Sequence, residues 1–200
     1  KSKEDVDKYL EICKEWSQRT RMNLDHDFVK KIIQKDVNNY IYVKEEGSIK
    51  SKGAYVKKLS LIDNDLPIVN KAIKEKLIND IEIEDTINNC NDLMDFQKCV
   101  KITGKYSHAV YGSENINLKV FRVFASKSSS DNAIMKMKSD GKLEKISYTP
   151  DRVFIDNSKV IGKDVLDKLD KSWYIKLAKD RLESFIPENS FTLFDYFNMI

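Results

Sequence analysis

Tyrosines and lysines on neighbouring strands, closed by a glycine, can engage a phosphate backbone, and residues 38–56 carry such an array. Tyr40-Ile41-Tyr42-Val43 alternates with the period of a half-buried strand, and Glu45-Glu46-Gly47 supplies a reversal. On the return strand Ser48, Lys50 and Lys52 share one face, and Gly53 lets another backbone approach closely. Lys44, Lys57 and Lys58 bring the region to five lysines against two glutamates, a local field that attracts anions. A solvated hairpin face explains the same pattern, with Tyr40 an ordinary cross-strand residue.

The remaining chemical candidates are sparser. Arg122 interrupts the apolar run Val120-Phe121-Arg122-Val123-Phe124; it could fork onto a phosphate, or point to water from a half-buried strand. Lys101, Lys105 and Tyr106 flank Gly104 as a backbone contact or a plain turn. Asp25-His26-Asp27 contains metal-ligand types, but adjacent residues diverge in direction and aspartate before a helix is a cap. His108 has no histidine or cysteine nearby, Trp173 and Tyr174 read as core residues, and Ser128-Ser129-Ser130 reads as a flexible loop. Cys13, Cys90 and Cys99 are odd in number and lack a C-x-x-C pair, which points to a reducing compartment and away from structural zinc.

Two hundred residues at 41% hydrophobic content suffice for one compact domain or two small subdomains. The balance of 35 basic and 32 acidic residues, +3 net, leaves any polyanion binding to local clusters. No apolar run approaches the about 20 residues of a membrane span, and no secretory signal pattern opens the chain, so a soluble intracellular protein is expected. A start at Lys1, almost directly on a helical pattern, suggests a fragment of something longer.

The elements expected to position these residues follow from periodicity. Val6, Leu10, Cys13 and Trp16 predict a helix over 3–17, and Asp25 or Asp27 caps a predicted second helix carrying Phe28, Val29, Ile32 and Ile33 inward. After the hairpin, a polar stretch at 60–65 marks a subdomain boundary. Pro67 then opens a helix with Ile68, Val69, Ala72, Ile73 and Leu77 as its stripe. Short helices are predicted over 84–89 and 92–97, strands over 98–102, 119–124, 133–137 and 153–155, and a turn at Ser139-Asp140-Gly141-Lys142. A long helix over 164–186 carries Leu166, Leu169, Trp173, Leu177, Ala178 and Phe185, and Pro187 ends it.

This order of residues resembles the end of the palm and the thumb of a phage or prophage replicative DNA polymerase, most closely of family B. Leu24-Asp25 stands where that family has a Leu-Glu pair, Tyr40 where it has the tyrosine of a Lys-Lys-x-Tyr element, and Lys52-Gly53 at its Lys-Gly step. Val37 and Asn38 replace the family's lysine pair, so contacts through that pair do not carry over. The resemblance implies an α+β fold, with a helix-flanked hairpin completing a palm over 1–60 and a mostly helical thumb with a small sheet over 61–187. It also implies a DNA-directed nucleotidyltransferase that uses Mg2+ and deoxynucleoside triphosphates in a phage or bacterial host cytoplasm. The catalytic aspartates and the metal would lie before Lys1, leaving this part inactive alone and gripping primer-template DNA through Tyr40, Lys50, Lys52, Gly53 and Arg122.

The tail over 188–200 contains Ser190-Phe191-Thr192-Leu193-Phe194-Asp195-Tyr196-Phe197. Leu193, Phe194, Tyr196 and Phe197 resemble the anchors of peptides by which replicative polymerases hold a sliding clamp, although Ser190 stands where cellular motifs place glutamine. A segment folded back on the thumb fits the same residues. The alternative to a polymerase is a non-enzymatic DNA-binding or clamp-associated module.

Overall fold

A computed structural model describes residues 3–24, 28–53, 66–158 and 163–183. Helix α1, Lys3–Thr20, has Glu4 and Asp5 in its first turn and Arg19 in its last, complementing the helix dipole. Cys13 is its buried residue, and Val6, Leu10 and Trp16 are half-buried beside it. The helix runs three residues beyond the predicted end at Ser17 and stops where Arg21 adopts φ 56°.

The predicted second helix is instead strand β1, Val29–Asp36. It pairs antiparallel with β2, Asn39–Lys44, which pairs in turn with β3, Ile49–Lys52. The turn between β1 and β2 decides this. The Asp36 carboxylate accepts from the Asn38 N–H at 2.9 Å and from the Asn39 side-chain amide, fixing a reversal that lays Ile33 opposite Ile41 and Ile32 opposite Tyr42. Val29, Ile32 and Ile33 are β-branched and suit a strand once a partner is available. The Asp25 or Asp27 cap falls outside the described residues.

Helix α2, Pro67–Asn79, starts with proline in its first turn, buries Ile68, Val69, Ala72, Ile73 and Leu77, and ends where Asp80 turns left-handed. Lys76 caps that end, paired with Asp80 at 3.1 Å and Glu82 at 2.6 Å. Helix α3, Ile83–Asn88, and a 3-10 turn, Leu93–Phe96, follow, the turn capped by the Asp92 carboxylate accepting from the Met94 N–H. Ile33 and Ile41 of the first sheet join the α2 stripe in one hydrophobic core. No helix among the described residues is long and apolar enough to cross a membrane.

The segment expected to be a helical thumb with a small sheet carries two antiparallel sheets. Strands β4 (Lys98–Lys101), β7 (Val120–Ala125) and β10 (Val153–Ile155) form one, ordered β10-β7-β4. Strands β5 (Tyr106–Tyr111), β6 (Glu114–Ile116), β8 (Ile134–Lys138) and β9 (Leu143–Lys145) form the other, ordered β6-β5-β8-β9. The unforeseen strands β6 and β9 have three residues each, and β5 breaks its apolar pattern at Ser107 and His108, so cross-strand pairing rather than hydrophobic periodicity makes them strands.

Strand β7 faces two cores. Phe121 and Val123 join Val100, Ala109, Ile134 and Val153 between the sheets, whereas Phe124 and Ala125 join the helical core of α2 and α3. The three-stranded sheet is therefore the middle of three layers. The Tyr111 hydroxyl ties the outer sheet to it, donating to the Val153 carbonyl at 2.9 Å.

The predicted single helix over 164–186 is two, α4 (Lys163–Lys168) and α5 (Lys171–Glu183). Leu169, fully buried, makes a strand-like bridge to Ser126, and the Asp170 N–H donates to the Ala125 carbonyl at 2.9 Å. Backbone spent on β7 cannot continue the helical ladder, and the Asp170 carboxylate restarts the helix by accepting from the Ser172 N–H. Phe185 and Pro187 lie outside the described residues.

From α5, Tyr174 reaches into the junction of these layers. Its hydroxyl donates to the Phe96 carbonyl and accepts from the Ala125 N–H, each at 2.9 Å, and its ring meets Phe96 edge-on at 5.1 Å. The side chain is 1% exposed, and burial holds its hydroxyl far above the ordinary value of 10. Tyr174→Phe leaves two buried backbone groups unpaired and is expected to cost about 2–4 kcal/mol, seen as a lower urea midpoint at unchanged m. Because the native state holds the proton that the unfolded tyrosine releases near pH 10, stability falls as pH rises past 10, and Tyr174→Phe removes that part of the fall.

Candidate nucleic-acid interface

The first sheet sorts its side chains by the two-residue period. Ile41 and Val43 are fully buried, Ile41 in the core that includes α2 with Ile49 packed on it, so Tyr40, Tyr42, Lys50 and Lys52 share the opposite face. Register places Tyr40 opposite Lys52 and Tyr42 opposite Lys50. The two tyrosine rings are stacked, with centroids 4.2 Å apart and planes at 16°. The Lys52 ammonium lies 5.8 Å from the Tyr40 centroid.

A half-buried pair of rings with exposed ammonium groups beside it offers flat π surface and positive charge together. Those are the elements of a phosphate-tracking surface that does not read sequence. Tyr42 belongs to this face as fully as Tyr40, a membership that its two-residue spacing already implied. Lys44 sits nearer the reversal, where its ammonium lies 3.9 Å from the Glu46 carboxylate. Lys57 and Lys58 lie outside the described residues.

Gly53 has φ +68°, and a Cβ built there would come within 2.2 Å of the Asn38 carbonyl oxygen. The close approach inferred from sequence is thus satisfied within the chain, where the end of β3 folds against the β1–β2 turn. That turn fixes the backbone directly after Lys52.

Arg122 sits apart from the hairpin, in the middle sheet. Its guanidinium donates to the Ser158 carbonyl at 2.6 Å and lies 3.0 Å from the Met94 sulfur, while its backbone N–H donates to the Asn157 side chain. These bonds hold the chain after β10 against the 3-10 turn; the residue is half-buried rather than pointing freely to water. Trp173 and Tyr174 take the core positions expected of them. His108 lies beside the Ser107 hydroxyl at 3.0 Å. Leu193, Phe194, Tyr196 and Phe197 lie outside the described residues. Among the described residues no three His, Cys, Asp or Glu side chains are placed to hold a metal ion.

No protein-family model matches the chain, and neither a curated protein nor a solved structure matches it at a significant level.

Gly53→Ala is expected to destabilise the hairpin by at least the about 1–2 kcal/mol of a left-handed non-glycine residue, with the backbone clash added. Faster amide exchange across Tyr40–Tyr42 checks this, and unchanged exchange would contradict the close approach.

Proposed function

We propose that this chain is the C-terminal palm and thumb part of a DNA-directed DNA polymerase, and that its first sheet grips primer-template duplex through phosphates. The stacked Tyr40 and Tyr42 with Lys50 and Lys52 on the solvent face carry this reading. The ordered likeness at Leu24-Asp25, Tyr40 and Lys52-Gly53 supports the polymerase setting.

The division of labour follows from what the chain contains. Nucleotidyl transfer needs carboxylates that converge on metal ions, and the proposal assigns the magnesium and those aspartates to another part of the polymerase. This part then supplies positioning: cations that neutralise phosphates and a rigid sheet that keeps them in register. A polymerase requires the coding sequence upstream of Lys1 to contain an Asp-Thr-Asp strand within a few dozen residues. Its absence would leave the DNA-binding or clamp-associated module as the function.

Replacing Lys50 and Lys52 together by alanine is expected to weaken duplex binding and to flatten the dependence of log K on log salt by about two units. Equal affinity and slope would remove the hairpin from the interface. For the tail, deletion of residues 191–200 is expected to abolish clamp-stimulated processivity while distributive synthesis by the whole enzyme persists. Equal processivity with and without it would exclude clamp binding by Leu193, Phe194, Tyr196 and Phe197.

A further inference from the structure

The outer sheet ends in a second cluster of lysines around a tyrosine. On the face where Ala109 and Ile134 are fully buried, the rows run outward to Tyr106, Lys136, Lys138 and Glu144. The Lys105 and Lys136 ammonium groups each lie 5.1 Å from the Tyr106 centroid, so the two charges are within about 10 Å of each other. The Tyr106 hydroxyl donates to Glu144 at 2.6 Å, across β8.

One carboxylate serves several cations here. Glu144 pairs with Lys138 at 2.6 Å and reaches Lys105 at 3.5 Å, and the Lys138 ammonium followed by the Tyr106 hydroxyl hold its carboxyl down at about 2. Its charge is thus fully committed at neutral pH. Lys136 has no carboxylate within ion-pair distance among the described residues. Lysine normally loses much side-chain freedom on meeting a phosphate, and contact with one shared ring has already removed part of that freedom.

The surroundings leave this end open. Gly104 and Gly141 turn the two bordering loops, and a Cβ on either would meet nothing within 4 Å. The loops are tied together, with the Ser139 N–H and hydroxyl donating to the Lys105 carbonyl at 3.0 and 3.1 Å. Duplex DNA presents one negative charge per about 1.7 Å of axis, or about six over the span the two ammonium groups can cover.

We infer that the Lys105, Tyr106 and Lys136 end of the outer sheet is a second contact for the phosphodiester backbone of duplex DNA, separate from the hairpin. It rests on the proposed function only in taking duplex DNA as the ligand.

The test measures anisotropy of a short fluorescein-labelled duplex with the 200-residue chain across about 50–200 mM NaCl, for the unmodified protein, K105A/K136A, K105R/K136R, K50A/K52A and E144Q. K105A/K136A is expected to flatten the salt slope by about two units with an unchanged thermal midpoint, and the arginine pair to preserve it. E144Q, which leaves both lysines in place, tightens binding by about threefold or more. Unchanged binding in both K105A/K136A and E144Q overturns the inference, as does loss confined to K50A/K52A, which upholds the hairpin. Loss confined to K105A/K136A upholds the second contact and removes the hairpin; no binding by the unmodified chain overturns both.

Discussion

Strand β7 contributes side chains to two hydrophobic cores, and the Tyr174 hydroxyl locks its end to both the 3-10 turn and helix α5. Each fully buried Val or Phe on β7 is worth about 1.5–3 kcal/mol relative to exposure, but only if the layers on both sides are in place. The outer sheet cannot shield Phe121 and Val123 unless β5 and β8 lie over them, and the helices cannot shield Phe124 unless α5 is docked. Tyr174 makes that docking specific. Its two hydrogen bonds sit where water cannot replace them, so a shifted helix would strand two backbone groups.

The same constraint accounts for the local departures from regular structure. Leu169 and Asp170 leave helical geometry because their backbone completes the end of β7, which divides α4 from α5. Arg122, on the helix-facing side of the strand, is drawn into bonds with Ser158 and Met94 that close the edge of that core. Its role in this fold is to tie segments together, and a phosphate contact there would compete with bonds already made.

Charge is arranged differently from apolar mass. At the first sheet, burial of Ile41 and Val43 forces the tyrosines and lysines outward, and the rings stack on each other. At the outer sheet, the overhang beyond Ile134 leaves a lysine-rich margin in which Glu144 is shared by Lys138 and Lys105. Lys52 lies over Tyr40, and Lys105 and Lys136 over Tyr106, so a net charge of only +3 hides two local concentrations of positive charge.

Helices α1 and α2, the hairpin β2–β3, and strands β4, β7, β8 and β10 were legible in the sequence, because their periodicities are strong and their caps or turns are local. The alternation of Tyr40 and Tyr42 on one strand and of Lys50 and Lys52 on the next was legible for the same reason, whereas the register that puts all four on one face was decided by strand pairing. Tertiary structure alone decided what Val29–Asp36 would be, since its spacing fits a helix and only pairing with β2 makes it a strand. It alone divided the last helix, through a bridge to Ser126, and gathered Lys105, Tyr106, Lys136 and Glu144 from three strands and a turn. Contacts between residues far apart in sequence leave no period to read, because the energy that fixes them comes from partners that local spacing cannot name.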